Sequence, residues 1–151
     1  TTQKGVVAIS GILFLAGFII AGLDFRFGWS HVPNWTVILA ALILLAAYGF
    51  YAEVMRENAY LSRTIEVQEN QKVIDTGLYG IVRHPMYAAT IWLFLAVPIV
   101  LGSWWSFLCF LPYIPVIAVR IINEEKILSA ELMGYEDYKK RVKYRIIPFI
   151  W

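Results

Sequence analysis

The run 85-PMYAATIWLFLAVPIVLGSWWSFLCFLPYIPVIAV-119 holds 35 residues without one Asp, Glu, Lys, Arg or His. As one α-helix it would extend about 52 Å, against a hydrocarbon core of about 30 Å. Folded as two passes it fits, provided the turn is short, and Gly102-Ser103 is the place for that turn. The choice between one pass and two decides the topology of the whole chain.

Two further runs are free of charge: residues 5–23 and residues 35–52. Each is long enough to cross a bilayer as a helix. The basic residues then select between models. With four passes, Lys4, the 53–84 loop and the tail from Arg120 share one side, which carries twelve of the thirteen Lys and Arg and leaves only Arg26 opposite. With three passes the tail, with its seven basic residues, would cross the membrane. Positive charge is retained on the cytoplasmic side, so four passes with both termini cytoplasmic are expected. The expected class is an all-α integral membrane protein with spans near 5–23, 35–55, 85–101 and 104–122. The last two form a hairpin, and a tail of short cytoplasmic helices covers 123–151. Trp29, Trp35, Trp104 and Trp105 fall at the outer interface, where amphipathic rings settle. Pro98, Pro112 and Pro115 lie in the hairpin and read either as tolerated kinks or as a bend opening a lateral gap for a lipidic ligand.

Composition agrees. Of 151 residues, 60% are hydrophobic and 16% charged, with mean hydropathy +0.63, whereas a soluble domain carries about 25% charge. One membrane-embedded domain, 1–151, accounts for this length. Cys109 is the single cysteine, which excludes an internal disulfide and any zinc site built on several thiolates. No metal site and no nucleic-acid surface is expected. The chain begins at Thr1 without a methionine, which leaves room for a further N-terminal span.

Polar chemistry gathers in two stretches, 53-EVMRENAYLSRTIEVQENQKVIDTGLYGIVRHP-85 and 120-RIINEEKILSAELMGYEDYKKRVKYRIIPFIW-151. In the first, Asn70 lies in a turn, Val73-Ile74 is extended, and Thr76-Gly77 turns again. In the second, residues 123–133 are helical in composition and Gly134 interrupts them. Tyr135, Tyr138 and Val142 recur on one face of a second short helix, with Pro148 as its stop. Arg83-His84-Pro85-Met86-Tyr87 opens the third span. Proline suits a first helical turn. Arg83 and Tyr87 serve equally well as interfacial anchors, but His84 offers both a donor and an acceptor, which suits a polar ligand. Arg120 and Glu124 stand one turn apart. This is either an interfacial ion pair worth about 0.3–0.5 kcal/mol or a site element with Arg120 near ligand and Glu124 facing a cation. The 135–142 segment reads as a basic surface helix or as a lid.

In this order and spacing, 77-GLYGIVRHPMY-87, 120-RIINEE-125 and 134-GYEDYKKRV-142 resemble the isoprenylcysteine carboxyl methyltransferase family and the related phospholipid methyltransferases. The likeness runs from Thr64 to Pro148. It implies a membrane site for S-adenosylmethionine formed by loops and helix ends. By position, its cofactor contacts would be Gln71, Lys72, Val73, Ile74, Tyr79, His84, Pro85, Met86, Tyr87 and Glu124. Arg120 matches the arginine at the methyl-acceptor end. A prenylated-cysteine carboxylate is the first expected acceptor. It is already ionised and needs no base, and Arg120 could clamp it through two parallel hydrogen bonds. A phospholipid amine is the second, and it would have to lose a proton, for which Glu125 is the candidate. The partners expected are a lipophilic or lipidated substrate and membrane lipids. Rival readings are an NADPH-dependent enzyme like the membrane sterol reductases, and a lipid-binding scaffold without activity.

Overall fold

The computed structural model describes residues 2–61 and 65–151. Among them the regular structure is all helical: α1 Thr2–Phe27, α2 Asn34–Glu57, α3 Pro85–Val100, α4 Trp104–Phe110, α5 Tyr113–Glu131 and α6 Tyr135–Arg141, with a 3-10 turn at Gly77–Gly80. Three stretches are long and apolar enough to cross a membrane: Gln3–Phe27, Asn34–Glu57 and the nearly continuous Trp104–Glu131. α3 is apolar too, but its 16 residues rise only about 24 Å. The four apolar stretches are therefore all helical, three of them long enough to span and the one from Pro85 short.

The hairpin turn falls at Gly102, whose φ of 78° is a left-handed conformation that glycine adopts without a side-chain clash. Ser103 then caps α4, accepting from the Ser106 backbone N–H. Pro112 separates α4 from α5, while Pro98 is absorbed inside α3 and fully buried. Two expectations are corrected here. Residues 123–131 are not a separate tail helix but the end of α5, because nothing in that stretch breaks a helix. The last helix stops at Arg141 and Val142, six residues before Pro148.

α2 packs on α3, and α1 packs on α4 and α5. Phe110 seats directly on Gly17, where an added Cβ would lie 2.2 Å from its ring. At one end of the bundle the α1–α2 loop is latched to the hairpin. The fully buried Asp24 carboxylate accepts from the Ser30 backbone N–H at 2.7 Å and from the Ser30 and Ser103 hydroxyls. Trp104 donates its indole N–H to the His31 carbonyl at the same end. The opposite end gathers the start of α1, the end of α2, the start of α3 and the middle of α5, and it holds the polar segments.

Candidate functional site

Arg83 and His84 stand immediately before α3, and Pro85 supplies its first residue. The C-terminal tail is fixed to them by main-chain bonds: Arg83 N–H to the Tyr144 carbonyl at 2.9 Å and His84 N–H to the Arg145 carbonyl at 2.8 Å. Arg83 also gives its guanidinium to the carbonyls of Val142 and Lys143. Beneath this clasp lies Glu125, buried to 5% exposure. Its carboxylate accepts from Arg83 Nε at 2.7 Å and from Arg145 Nε at 2.8 Å, and the His84 ring nitrogen Nε2 lies 3.1 Å away. A buried carboxylate among three potential cations is held ionised and fully engaged. The expectation that Glu125 acts as a base toward an amine does not fit this geometry. It lines neither cavity of the site, and each of its oxygens already accepts from an arginine.

Its neighbour Glu124 points elsewhere, because successive helical residues differ by about 100°. Glu124 accepts the Tyr87 hydroxyl proton at 2.6 Å, and the same hydroxyl accepts from Arg120 Nε at 2.8 Å. The Arg120 guanidinium carbon lies 5.8 Å from the centre of the Tyr87 ring.

Two cavities meet at this point. The first is small, about 80 Å³, and the more polar of the two, and nine of the ten residues expected from the motifs to contact a cofactor line it: Gln71, Lys72, Val73, Ile74, Tyr79, His84, Met86, Tyr87 and Glu124. The tenth, Pro85, lies buried at the helix start. The second is mostly apolar and about 790 Å³, set among α1, α2, α3 and α5. Arg120 belongs to it, with Phe14, Tyr51, Phe94, Tyr113 and Ile117. Leu61, Met86 and Tyr87 line both. Residues 62–64, including Thr64 at the start of the family likeness, lie outside the described residues.

The polar cavity also contains residues that motif matching passed over. Tyr135 starts α6 after Gly134, whose φ is 87°. It is 4% exposed, and its hydroxyl is buried without a hydrogen-bond partner. Burial, with the negative charge of Glu125 and Glu124 adding, raises its pKa well above the ordinary phenol value. Tyr138 donates to the Tyr79 carbonyl at 2.6 Å, and Asn58 donates to the Tyr79 hydroxyl at 3.0 Å. Burial pushes Tyr79 up to about 12, against the lowering hydrogen bond from Asn58 and with Glu124 raising it further. With Tyr60 and Tyr87 the cavity thus offers five tyrosine rings, the two carboxylates of Glu66 and Glu124, and one unsatisfied buried hydroxyl. Rings and a carboxylate attract a cation, and an orphaned hydroxyl costs about 1–3 kcal/mol until something pairs with it. The i, i+3 tyrosines of α6 were the sequence signal for this face.

A profile of the phospholipid methyltransferase family matches residues 35–133. The chain belongs to the phospholipid methyltransferase family. That match covers α2 through α5, and so both cavities' shared wall. The chain is also similar to the solved structure of the eukaryotic intramembrane Ras methyltransferase, isoprenylcysteine carboxyl methyltransferase. The TM-score is 0.71 at 18% identity, over 93% of this chain and 52% of that one, so the likeness is one of fold. Among curated proteins it is 29% identical over 99 residues to the Delta(14)-sterol reductase TM7SF2 of Mus musculus, 58% of this chain and 22% of that protein. The chain spans about half the length of the one relative and under a quarter of the other. It is thus a membrane protein of a methyltransferase family.

Proposed function

We propose that this chain transfers a methyl group from S-adenosylmethionine to the carboxylate of a hydrophobic acceptor at the cytoplasmic face of a membrane. The observation that carries the reading is the shared wall of the two cavities. On its polar side stand Glu124, His84 and five tyrosines; on its apolar side stands Arg120.

The polar cavity fits the cofactor's chemistry. Glu124 and the faces of Tyr79 and Tyr87 would hold its cationic centre, His84 a hydrogen-bonding end, Val73, Ile74 and Met86 its adenine, and Tyr135 an acceptor for its orphaned hydroxyl. When bound, the cofactor supplies an electrophilic methyl group. The cavity is narrower than the roughly 300–1,000 Å³ typical of small-molecule sites. The irregular strip 71–74, rather than the packed helices, is what must yield to admit it. Arg120 meets the acceptor from the lipid side. A planar guanidinium fork orients a carboxylate through two parallel bonds, and the low-dielectric chamber strips that carboxylate of water. Because a carboxylate is already ionised, the engagement of Glu125 with its cations leaves this chemistry unimpaired. The side bearing Lys4 and the tail is the cytoplasmic one, as positive charge requires.

A second reading has one observation in its favour. The family profile is that of phospholipid methyltransferases, and the Tyr87 hydroxyl leads directly to Glu124. An amine acceptor could pass its proton along that path. One experiment separates the two. Purified protein is incubated with S-adenosylmethionine carrying a labelled methyl group and a membrane lipid extract, and the labelled lipid is treated with alkali. A methyl ester releases volatile labelled methanol; a methylated amine retains its label. Label lost to alkali supports the carboxylate, retained label the amine, and no labelled lipid contradicts both.

A further inference from the structure

The apolar cavity carries hydroxyls that an apolar tail does not require. Trp104–Glu131 forms one nearly continuous span, and Tyr113 stands nine residues into it, about 14 Å from its outer end. That is close to the middle of a hydrocarbon core of about 30 Å. Arg120 lies seven residues nearer the cytoplasmic side, about 10 Å along the helix. From α2 comes Tyr51, six residues before the helix ends at Glu57 and so about 9 Å inside it. All three side chains line this cavity.

The other hydroxyls of the wall are spent. Ser10 and Thr90 donate to the carbonyls of Val6 and Met86 in their own helices, and Tyr87 is shared between Glu124 and Arg120. The hydroxyls of Tyr113 and Tyr51 have no hydrogen-bond partner among the described residues. Tyr113 is 7% exposed, and its ring is fixed edge-on against Phe94 at 4.4 Å in the cluster with Tyr87, Ile117 and Ile121. Its hydroxyl is not sealed in protein as that of Tyr135 is, so it opens to the cavity it lines. The Arg120 charge and the Tyr51 phenol both act on it electrostatically, which sets the three polar groups around one space. A bare hydroxyl at hydrocarbon depth is costly, and a ring that only filled space would be served by phenylalanine, as at Phe14 and Phe94 in the same wall.

We infer that Tyr113 and Tyr51 form a second polar subsite in the apolar cavity, one that holds an oxygen carried on the acceptor's own tail while Arg120 holds its carboxylate. The inference rests on the carboxylate reading above and deepens it by naming the substrate class: a lipophilic carboxylate with a carbonyl or hydroxyl oxygen in its tail. Both phenols can donate, and the two lone pairs of one oxygen can accept from both. The helix rise between Arg120 and Tyr113 places that oxygen within about 10 Å of the carboxylate. A plain hydrocarbon tail leaves both hydroxyls unpaired in a low-dielectric chamber, and a site that hydrogen-bonds a substrate group discriminates strongly against the analogue without it. Tyr113 and Tyr51 are thus specificity-determining residues for the acceptor.

The test uses saturated carboxylates of one chain length, bearing a keto oxygen at successive positions or none, assayed for methyl ester formation by the full chain in detergent micelles with S-adenosylmethionine as donor. In the wild type one keto position gives a kcat/KM roughly tenfold or more above that of the plain chain, and positions on either side fall away. Tyr113→Phe and Tyr51→Phe keep the rings and remove one hydroxyl each. Both lower that ratio, Tyr113→Phe to within about twofold of unity. Tyr48→Phe, at an exposed α2 tyrosine off the cavity, leaves the ratio as it is. A plain chain used as well as every keto chain, or a keto preference undiminished in Tyr113→Phe or in Tyr51→Phe, overturns the inference while leaving the carboxylate reading intact. Esterification of none of the series overturns the reading and the inference together.

Discussion

Tyr87 donates its hydroxyl proton to Glu124 across 2.6 Å while accepting from Arg120 at 2.8 Å, so one phenol joins the wall of an apolar chamber to the wall of a polar one. Both bonds involve a charged partner and lie in a partly buried setting, where each is worth about 1.5–3 kcal/mol. Tyr87→Phe keeps the ring and removes both. Methyl transfer should fall by roughly ten- to a hundredfold in kcat/KM, with a smaller change in thermal unfolding temperature. Full activity in Tyr87→Phe would show that the hydroxyl merely fills space.

Arg120 stands on the acceptor side of that wall. Arg120→Ala should abolish transfer while leaving S-adenosylmethionine affinity largely intact, as calorimetry would report. Arg120→Lys should restore little, because a point charge cannot reproduce the planar fork. Equal loss of cofactor binding and transfer would contradict the division of labour between the cavities.

Glu125 should behave as a structural hub. Removing one partner from a buried ionic cluster costs about 3–5 kcal/mol. Glu125→Ala leaves Arg83, His84 and Arg145 facing one another, which should lower the unfolding midpoint sharply and loosen the 142–145 tail to proteolysis. An unchanged midpoint with activity lost would return Glu125 to a role in the chemistry.

Alkali offers a separate handle on the tyrosines. Tyr79 has its pKa raised by burial to about 12, above the ordinary phenol value near 10. The folded state therefore holds this proton more tightly than the unfolded state does. The resulting stability is complete below about pH 10 and is lost as pH climbs through about 12. Burial pushes Tyr135 and Tyr138 in the same direction. Unfolding temperatures in detergent should fall across that interval, less steeply in Tyr79→Phe. A flat profile in the wild type would mean that the cavity is wetter than its packing indicates.

Much of this was legible in the residues. A 35-residue uncharged run is too long for one pass, so hydropathy and Gly102 together dictated a hairpin. The strip 71–74 and the Arg83–Tyr87 motif do share a cavity with Glu124. What sequence could not supply was direction. Glu124 and Glu125 are identical in type and adjacent, yet one faces a cavity and the other three potential cations, and only the rotation of α5 decides which. The length of α5 was missed for a related reason. Hydropathy marks where the membrane ends, whereas a helix continues until its own backbone is interrupted, here after Glu131. Tyr135 was visible as one face of a short helix, but its unpaired hydroxyl emerges only from the packing around it.

The central claim is that the tyrosine-lined cavity receives S-adenosylmethionine, and titration calorimetry on the purified protein tests it most directly. The account predicts saturable, micromolar-scale binding of S-adenosylmethionine that weakens in Glu124→Gln and in Tyr135→Phe, with no heat from NADPH. Silence toward S-adenosylmethionine together with a saturable NADPH signal would contradict it and place the chain's chemistry with the sterol reductase it partly matches.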